Sequence, residues 1–224
     1  MFKETEIGFE LITNDFIVFF GKHNSQLSTL HQCYPYLDWT QLKQVHGSVM
    51  VQALSPEIDV QTADAHWTSS SKLVLISKTA DCIPVLGFNQ TTKAVISIHA
   101  GWRGLTNHIT KLSLESLSSH HPKQAWKIFI GPHIQQKSFE IQQDTVDLLQ
   151  QCTPLERDLW LNETSEGLKA NLSLILLQQL QSCGVPQTQI HALNLDTKTD
   201  SRFHSFRRDK EISGRQLSFI AKIQ

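Results

Sequence analysis

With 224 residues, 40% of them hydrophobic and 18% charged, the chain is long enough to bury a full core and has the composition of a soluble globular protein. A formal net charge of −1 leaves no basic surplus for nucleic acid or an anionic membrane. No apolar run approaches the roughly 18 residues of a membrane-spanning helix, and the N-terminal stretch carries scattered charges in place of a signal-peptide core. The expectation is a cytoplasmic protein forming one domain over residues 1–224.

Residues 5–21 hold two strand-like runs, the clearer being Phe16–Phe20 ahead of Gly21. The polar stretch Lys22–Asp38 has room for a short helix without marked ends. Gln41–Ala53 reads as two extended halves around His46-Gly47, with Gly47 permitting a turn or bulge. A loop is expected over 54–63, then Asp64–Thr68, then a strand at Leu73–Ser77. Two apolar runs, Ile83–Phe88 and Ala94–Ile98, flank the polar link Asn89–Lys93 and predict a hairpin.

Beyond Gly104 the period changes. Leu105, Ile109 and Leu112 predict a helix to about Ser119, which His121-Pro122 ends. Trp126–Ile130 reads as a buried strand stopped by Gly131-Pro132. A helix is expected over Asp144–Gln151 with Asp144 as its cap. Another is expected over Ser165–Cys183, from the stripe Leu168, Leu172, Ile175, Leu176 and Leu180. Ile190–Leu195 predicts a strand, Phe203–Arg208 an extended basic segment, and Gln216–Ile220 a final strand. Strands and helices mix without strict alternation, so the class is α+β.

The predicted hairpin brings Cys82 and His99 together at its open end. With His46, also at the end of an extended run, they make a His2Cys set suited to zinc with a fourth position open. A thiol beside an imidazole also suits a nucleophile with its base. A buried thiol with two packed histidines is the competing reading on these residues alone. Cys33, Cys152 and Cys183 are widely spaced, form no CxxC pair and read as structural. Asp64 reads locally as a turn or cap residue, and Asp81 as a group that either orients a ligand or faces away. Arg103, at a helix start, and Arg207, in a tandem pair with Arg208, are candidates for holding an anion. Their bland alternatives are a turn-fixing salt bridge and a solvated basic face.

The segments QVHG at 44–47, ADAHWT at 63–68, TADCIPVL at 79–86, IHAGWRGL at 98–105, IGP at 130–132 and SFRRD at 205–209 resemble, in order, the YfiH/laccase-domain family. That resemblance implies a mixed β-sheet core flanked by helices in a single YfiH-like domain. It implies zinc on His46, Cys82 and His99; copper could occupy the same site in vitro, because it often binds such donors more tightly than zinc. It implies phosphorolysis of adenosine, inosine, guanosine or methylthioadenosine, with deamination of adenosine. Purine nucleosides and phosphate would be the ligands, Arg103, Arg207 and Asp64 their contacts, and the protein a monomer or homodimer with no nucleic-acid or membrane partner. The family's peptidoglycan-editing label supports an alternative, an amide or ester hydrolase using Cys82 with His99; a non-catalytic partner-binding protein is a third reading. The chain departs from the pattern at Phe20–His23 and at Asp196-Thr197, where the family often has a Thr-Arg-Gly-Gly segment and Cys-Thr. A multicopper centre is excluded on chemistry, since none of the eleven histidines forms a His-X-His pair.

Overall fold

The structure, a computed structural model, describes residues 1–56, 60–165 and 167–224. Strands that are apolar on both faces dictate its layers. Along Phe16–Gly21, residues Phe16, Val18 and Phe20 face one core while Ile17 and Phe19 face another; along Leu73–Thr79, Leu73 and Leu75 oppose Val74 and Ile76. Such strands need cover on both sides. One six-stranded sheet therefore runs in the order Lys3–Glu4, Gly8–Ile12, Phe16–Gly21, Gln216–Lys222, Leu73–Thr79, Asp38–Thr40. A second runs Ile190–Ala192, Trp126–Ile130, Ile83–Asn89, Val95–Ala100, Ala65–Thr68, Met50–Gln52. In the second sheet the central pairs are antiparallel and the two outer pairs parallel, so the sheet is mixed.

The sheets share a core of Phe16, Phe20, Leu75 and Ile220 from the first with Leu86, Phe88, Val95 and Phe129 from the second. The short helix Leu27–Cys33 covers the outer face of the first sheet through Leu30. The helices Ile109–Leu117, Gln143–Gln151 and Leu172–Ser182 cover the second, packing on Ile83, Val85, Ile96, Ile98, Ile128 and Ile130. Each fully buried aliphatic or aromatic side chain contributes roughly 1.5–3 kcal/mol. The α+β expectation, with a mixed sheet core flanked by helices, holds. No described helix is long and apolar enough to cross a membrane.

Five expected elements are corrected. The helix over 105–119 is two, Trp102–Thr106 and Ile109–Leu117, separated by His108 in the left-handed region at φ 56°. The break shifts the helical phase, so Leu112 is exposed while Leu114 and Leu117 are buried. The helix over 165–183 begins only at Leu172. Its expected first turns are a hairpin, Leu161–Thr164 with Gly167–Ala170, turned by Gly167 at φ 124°, and Leu168 packs against the core from a strand. Asp144 lies inside the first turn of its helix, behind Gln142. The last interior strand ends at Ala192, and residues 206–209 form one helical turn capped by the Ser205 hydroxyl, not an extended segment. The loop expected over 54–63 falls partly outside the described residues, and Gln61–Thr62 pairs in parallel with Leu42–Lys43.

Candidate metal centre

The hairpin aligns Pro84 with His99 and Ile83 with Ala100, so Cys82 comes to rest against the Ala100-Gly101 end of the partner strand. Gly101 is needed there: a Cβ on it would lie 2.8 Å from Cys82 Sγ and 3.2 Å from His46 Cδ2. His46 arrives from the loop after Leu42–Lys43. The left-handed residue is His46 itself, at φ 61°, rather than Gly47. That conformation costs a non-glycine residue on the order of 1–3 kcal/mol and persists only where its surroundings impose it.

Asp64 is what imposes it. Its carboxylate accepts the amides of Val45 (3.2 Å), His46 (2.9 Å) and Gly47 (2.7 Å), and also His99 Nδ1 at 2.9 Å. Burial would raise its pKa, but the His99 hydrogen bond and the loop amides outweigh burial and hold it below the usual carboxylate value. With Nδ1 engaged, His99 presents Nε2 toward the other two groups. One ligand atom from each of His46, Cys82 and His99 lies within 4.8 Å of the others, and the two imidazoles meet edge to face at 4.8 Å. Burial opposes ionisation of Cys82, but the charge of His99 and hydrogen bonds from His46 and His99 overcome it and lower the thiol pKa. Burial likewise opposes protonation of His99, and Cys82 and Asp64 overcome it in the opposite direction. A thiolate with two imidazoles, one braced by a carboxylate, is a donor set that fits zinc. His46 is exposed and Cys82 partly so, which leaves the open side of the set facing a cleft.

That cleft has a volume of about 700 Å³. Trp102, Ile134, Phe139 and Phe206 supply an apolar lining, and Arg103 and Arg207 lie within it. Arg103 stacks over Trp102 at 4.4 Å; Arg207 lies 5.2 Å over Phe139 and donates to the Glu140 carbonyl at 2.6 Å. Asp81, in the left-handed region at φ 82°, accepts the Thr197 hydroxyl at 2.7 Å and the Arg207 amide at 2.6 Å. It thereby ties the C-terminal basic turn to the metal loop.

The structure brings His46, Cys82 and His99 together and places Arg103 and Arg207 in the same cleft. Asp64 is corrected: it is 1% exposed, braces the loop and His99, and is not among the residues lining the cleft. Sequence reasoning missed Gln44, whose side chain accepts from the Lys78 amide and donates to the Lys78 carbonyl, both at 2.8 Å. It also missed Lys43, Lys78, Lys210 and Arg215 in the lining. Nothing local marks these residues, because the cleft is assembled from five separated segments.

The family model described as multi-copper polyphenol oxidoreductase laccase matches residues 22–222. The chain belongs to this family, the YfiH/laccase-domain family. A Pseudomonas aeruginosa relative named as a purine nucleoside phosphorylase is 28% identical over 201 residues, covering 89% of this chain and 78% of the relative. The Escherichia coli member, named purine nucleoside phosphorylase YfiH, is 30% identical over 182 residues, covering 80% and 72%. The fold matches the crystal structure of YlmD from Geobacillus stearothermophilus with a TM-score of 0.91 at 22% identity, covering 100% of this chain and 99% of that one. The family's laccase description finds no multicopper arrangement here: the His46, Cys82 and His99 group is the one such donor cluster among the described residues.

Proposed function

We propose that this chain is a zinc-dependent purine nucleoside phosphorylase, acting on adenosine, inosine, guanosine or methylthioadenosine. The carrying observation is the junction of the His46–Cys82–His99 donor set with a cleft that offers an apolar lining and two arginines. Relatives named as phosphorylases support it. The apolar lining suits the flat face of a purine. Arg103 and Arg207 suit phosphate, which attacks the ribose C1′ as the base departs. Asp64 fixes His99 and the His46 loop, so the donors keep their aim while substrate enters. His46, Cys82 and His99 would hold zinc, which would supply Lewis acidity, the chemistry that deamination of adenosine would also need.

The lowered pKa of the Cys82 thiol favours a second reading, an amide or ester hydrolase with Cys82 as nucleophile and His99 as base. Metal content separates the two, because a thiolate committed to zinc is not a free nucleophile. The test is product analysis of zinc-assayed protein with adenosine, with and without phosphate, beside Cys82→Ala. Adenine and ribose 1-phosphate formed only with phosphate, and lost in the variant, are the expected result. Inosine in both samples adds deamination. Zinc-free protein that cleaves amides and leaves adenosine intact would replace the phosphorylase reading with the hydrolase.

A further inference from the structure

The cleft carries more positive charge than one phosphate requires. Lys43, Lys78, Arg103, Arg207, Lys210 and Arg215 line it, and Asp81 is the lining carboxylate among the described residues. Asp81 is already engaged by Thr197 and the Arg207 amide. Among the described residues, none of the six cations is paired with a carboxylate. The whole chain has a net charge of −1, so this surplus is local.

The six divide by their anchorage. Arg103 follows His99 by four residues, and Arg207 hangs from Asp81 beside Cys82, so these two flank the trio. The other four gather at the end of the strand Leu73–Thr79. Gln44, next to Lys43, clamps the backbone of Lys78 on both sides. Gln216 pairs with Thr79 and Leu217 with Lys78, which brings the turn carrying Lys210 and Arg215 to the same strand end. Lys78 is half-buried, and the Gln41 side-chain oxygen at 3.5 Å is the one polar contact of its ammonium among the described residues. An ammonium withdrawn from water with so little compensation is stabilised by an arriving anion.

We propose that Lys43, Lys78, Lys210 and Arg215 recognise a 5′-phosphate carried by the substrate, so that the cleft takes nucleoside 5′-monophosphates in preference to free nucleosides. The inference rests on the phosphorylase reading and specifies its substrate class. With AMP, an oxygen of hydrogen phosphate bonds to C1′ as the C1′–N9 bond breaks. The electron pair leaves with the base, the phosphate's proton passes to it, and the products are adenine and ribose 1,5-bisphosphate. No oxidant, reductant or further reactant is needed.

Two measurements on the full chain test this. Calorimetric titration of the metal-free protein compares AMP with adenosine, and steady-state assays of the zinc-loaded protein compare kcat/KM for the two at fixed phosphate. AMP is expected to bind at least ~10-fold more tightly, with a steep loss on adding salt, as charge-assisted contacts of this kind require. Lys78→Met, and separately Lys210→Gln with Arg215→Gln at exposed positions, should each shrink the AMP-to-adenosine ratio severalfold in both measurements. Circular dichroism confirms that the variants fold. Adenosine cleaved normally while AMP binds no better would overturn the 5′-phosphate site and leave the phosphorylase reading standing, with the cations serving free phosphate alone. Zinc-loaded protein that cleaves neither compound would overturn the phosphorylase reading, and this substrate assignment with it.

Discussion

Asp64 Oδ1 lies 2.9 Å from His99 Nδ1 and 2.9 Å from the amide of His46, so one buried carboxylate sets two of the three donors. One donor is fixed by its ring, the other by its backbone. Asp64→Asn keeps the shape, but it removes the negative charge and turns one acceptor into a donor that faces an N–H group. Metal affinity should fall ~10–100-fold, the usual consequence of losing a hydrogen-bond partner behind a ligating histidine. Competition with a chromogenic chelator measures it. An unchanged zinc affinity would mean that the trio is held by its own strands alone.

Gly101 makes the complementary prediction from space rather than charge. Its backbone lies at φ −80° and ψ 173°, a conformation alanine adopts freely, so any effect of Gly101→Ala is steric. The added methyl would press on Cys82 Sγ and the His46 ring. The protein should fold with a near wild-type melting temperature while zinc affinity drops by about tenfold or more, a cost typical of overpacking by one carbon. Metal content after dialysis, read beside thermal melting, separates the two effects.

Arg103 stacks on Trp102 and, among the described residues, has no carboxylate partner, which leaves its guanidinium available to an anion in the cleft. Arg103→Ala should raise the Michaelis constant for phosphate ~10–100-fold, the range for losing charge-assisted hydrogen bonds. A phosphate titration at saturating nucleoside measures it. An unchanged constant would remove Arg103 from phosphate binding.

How much of this was legible beforehand depended on whether a signal was local. The hairpin was, because two apolar runs around Asn89–Lys93 can pair in few ways, and its closure alone placed Cys82 beside His99. Asp64 gave a local signal too, and its reading as a cap was nearer the truth than its assignment to substrate. The bracing of His99 could not be read, since 35 residues separate the pair. The helix boundary failed for a different reason: Leu168 has the spacing of the Leu172, Ile175 and Leu176 stripe, yet reaches the same core from a strand. Apolar spacing cannot separate these when a turn at Gly167 intervenes. The cap could have, because Asn171 stands three residues before Leu174, whose amide its side chain accepts at 3.0 Å. Asn171→Ala should therefore cost about 1 kcal/mol of stability, as loss of a helix N-cap does, while leaving zinc affinity unchanged. Urea denaturation measures it. A helix that truly began near Ser165 would make this substitution nearly neutral.

His66 gives the pH dependence of the fold. It is 1% exposed, its Nε2–H donates to the Ile76 carbonyl at 3.1 Å, and burial lowers its pKa to about 3, only partly opposed by that hydrogen bond. The folded protein thus keeps His66 neutral while the unfolded chain takes up a proton near pH 6.5. Between these two pKa values the unfolded state binds more protons, so stability rises with pH across that window and is lost as pH falls below about 6.5. The loss is about 1.4 kcal/mol per pH unit, or about 2 kcal/mol between pH 6.5 and 5 from this residue. Buried His133 shifts in the same direction through burial and adds to the slope. Chemical denaturation at pH 7, 6 and 5 reads the slope directly. His66→Gln, which can still donate toward the Ile76 carbonyl but cannot take up the proton, should flatten that slope by roughly one proton. A variant that folds and keeps the full wild-type slope would show that His66 is protonated in the native state or that other groups carry the whole effect.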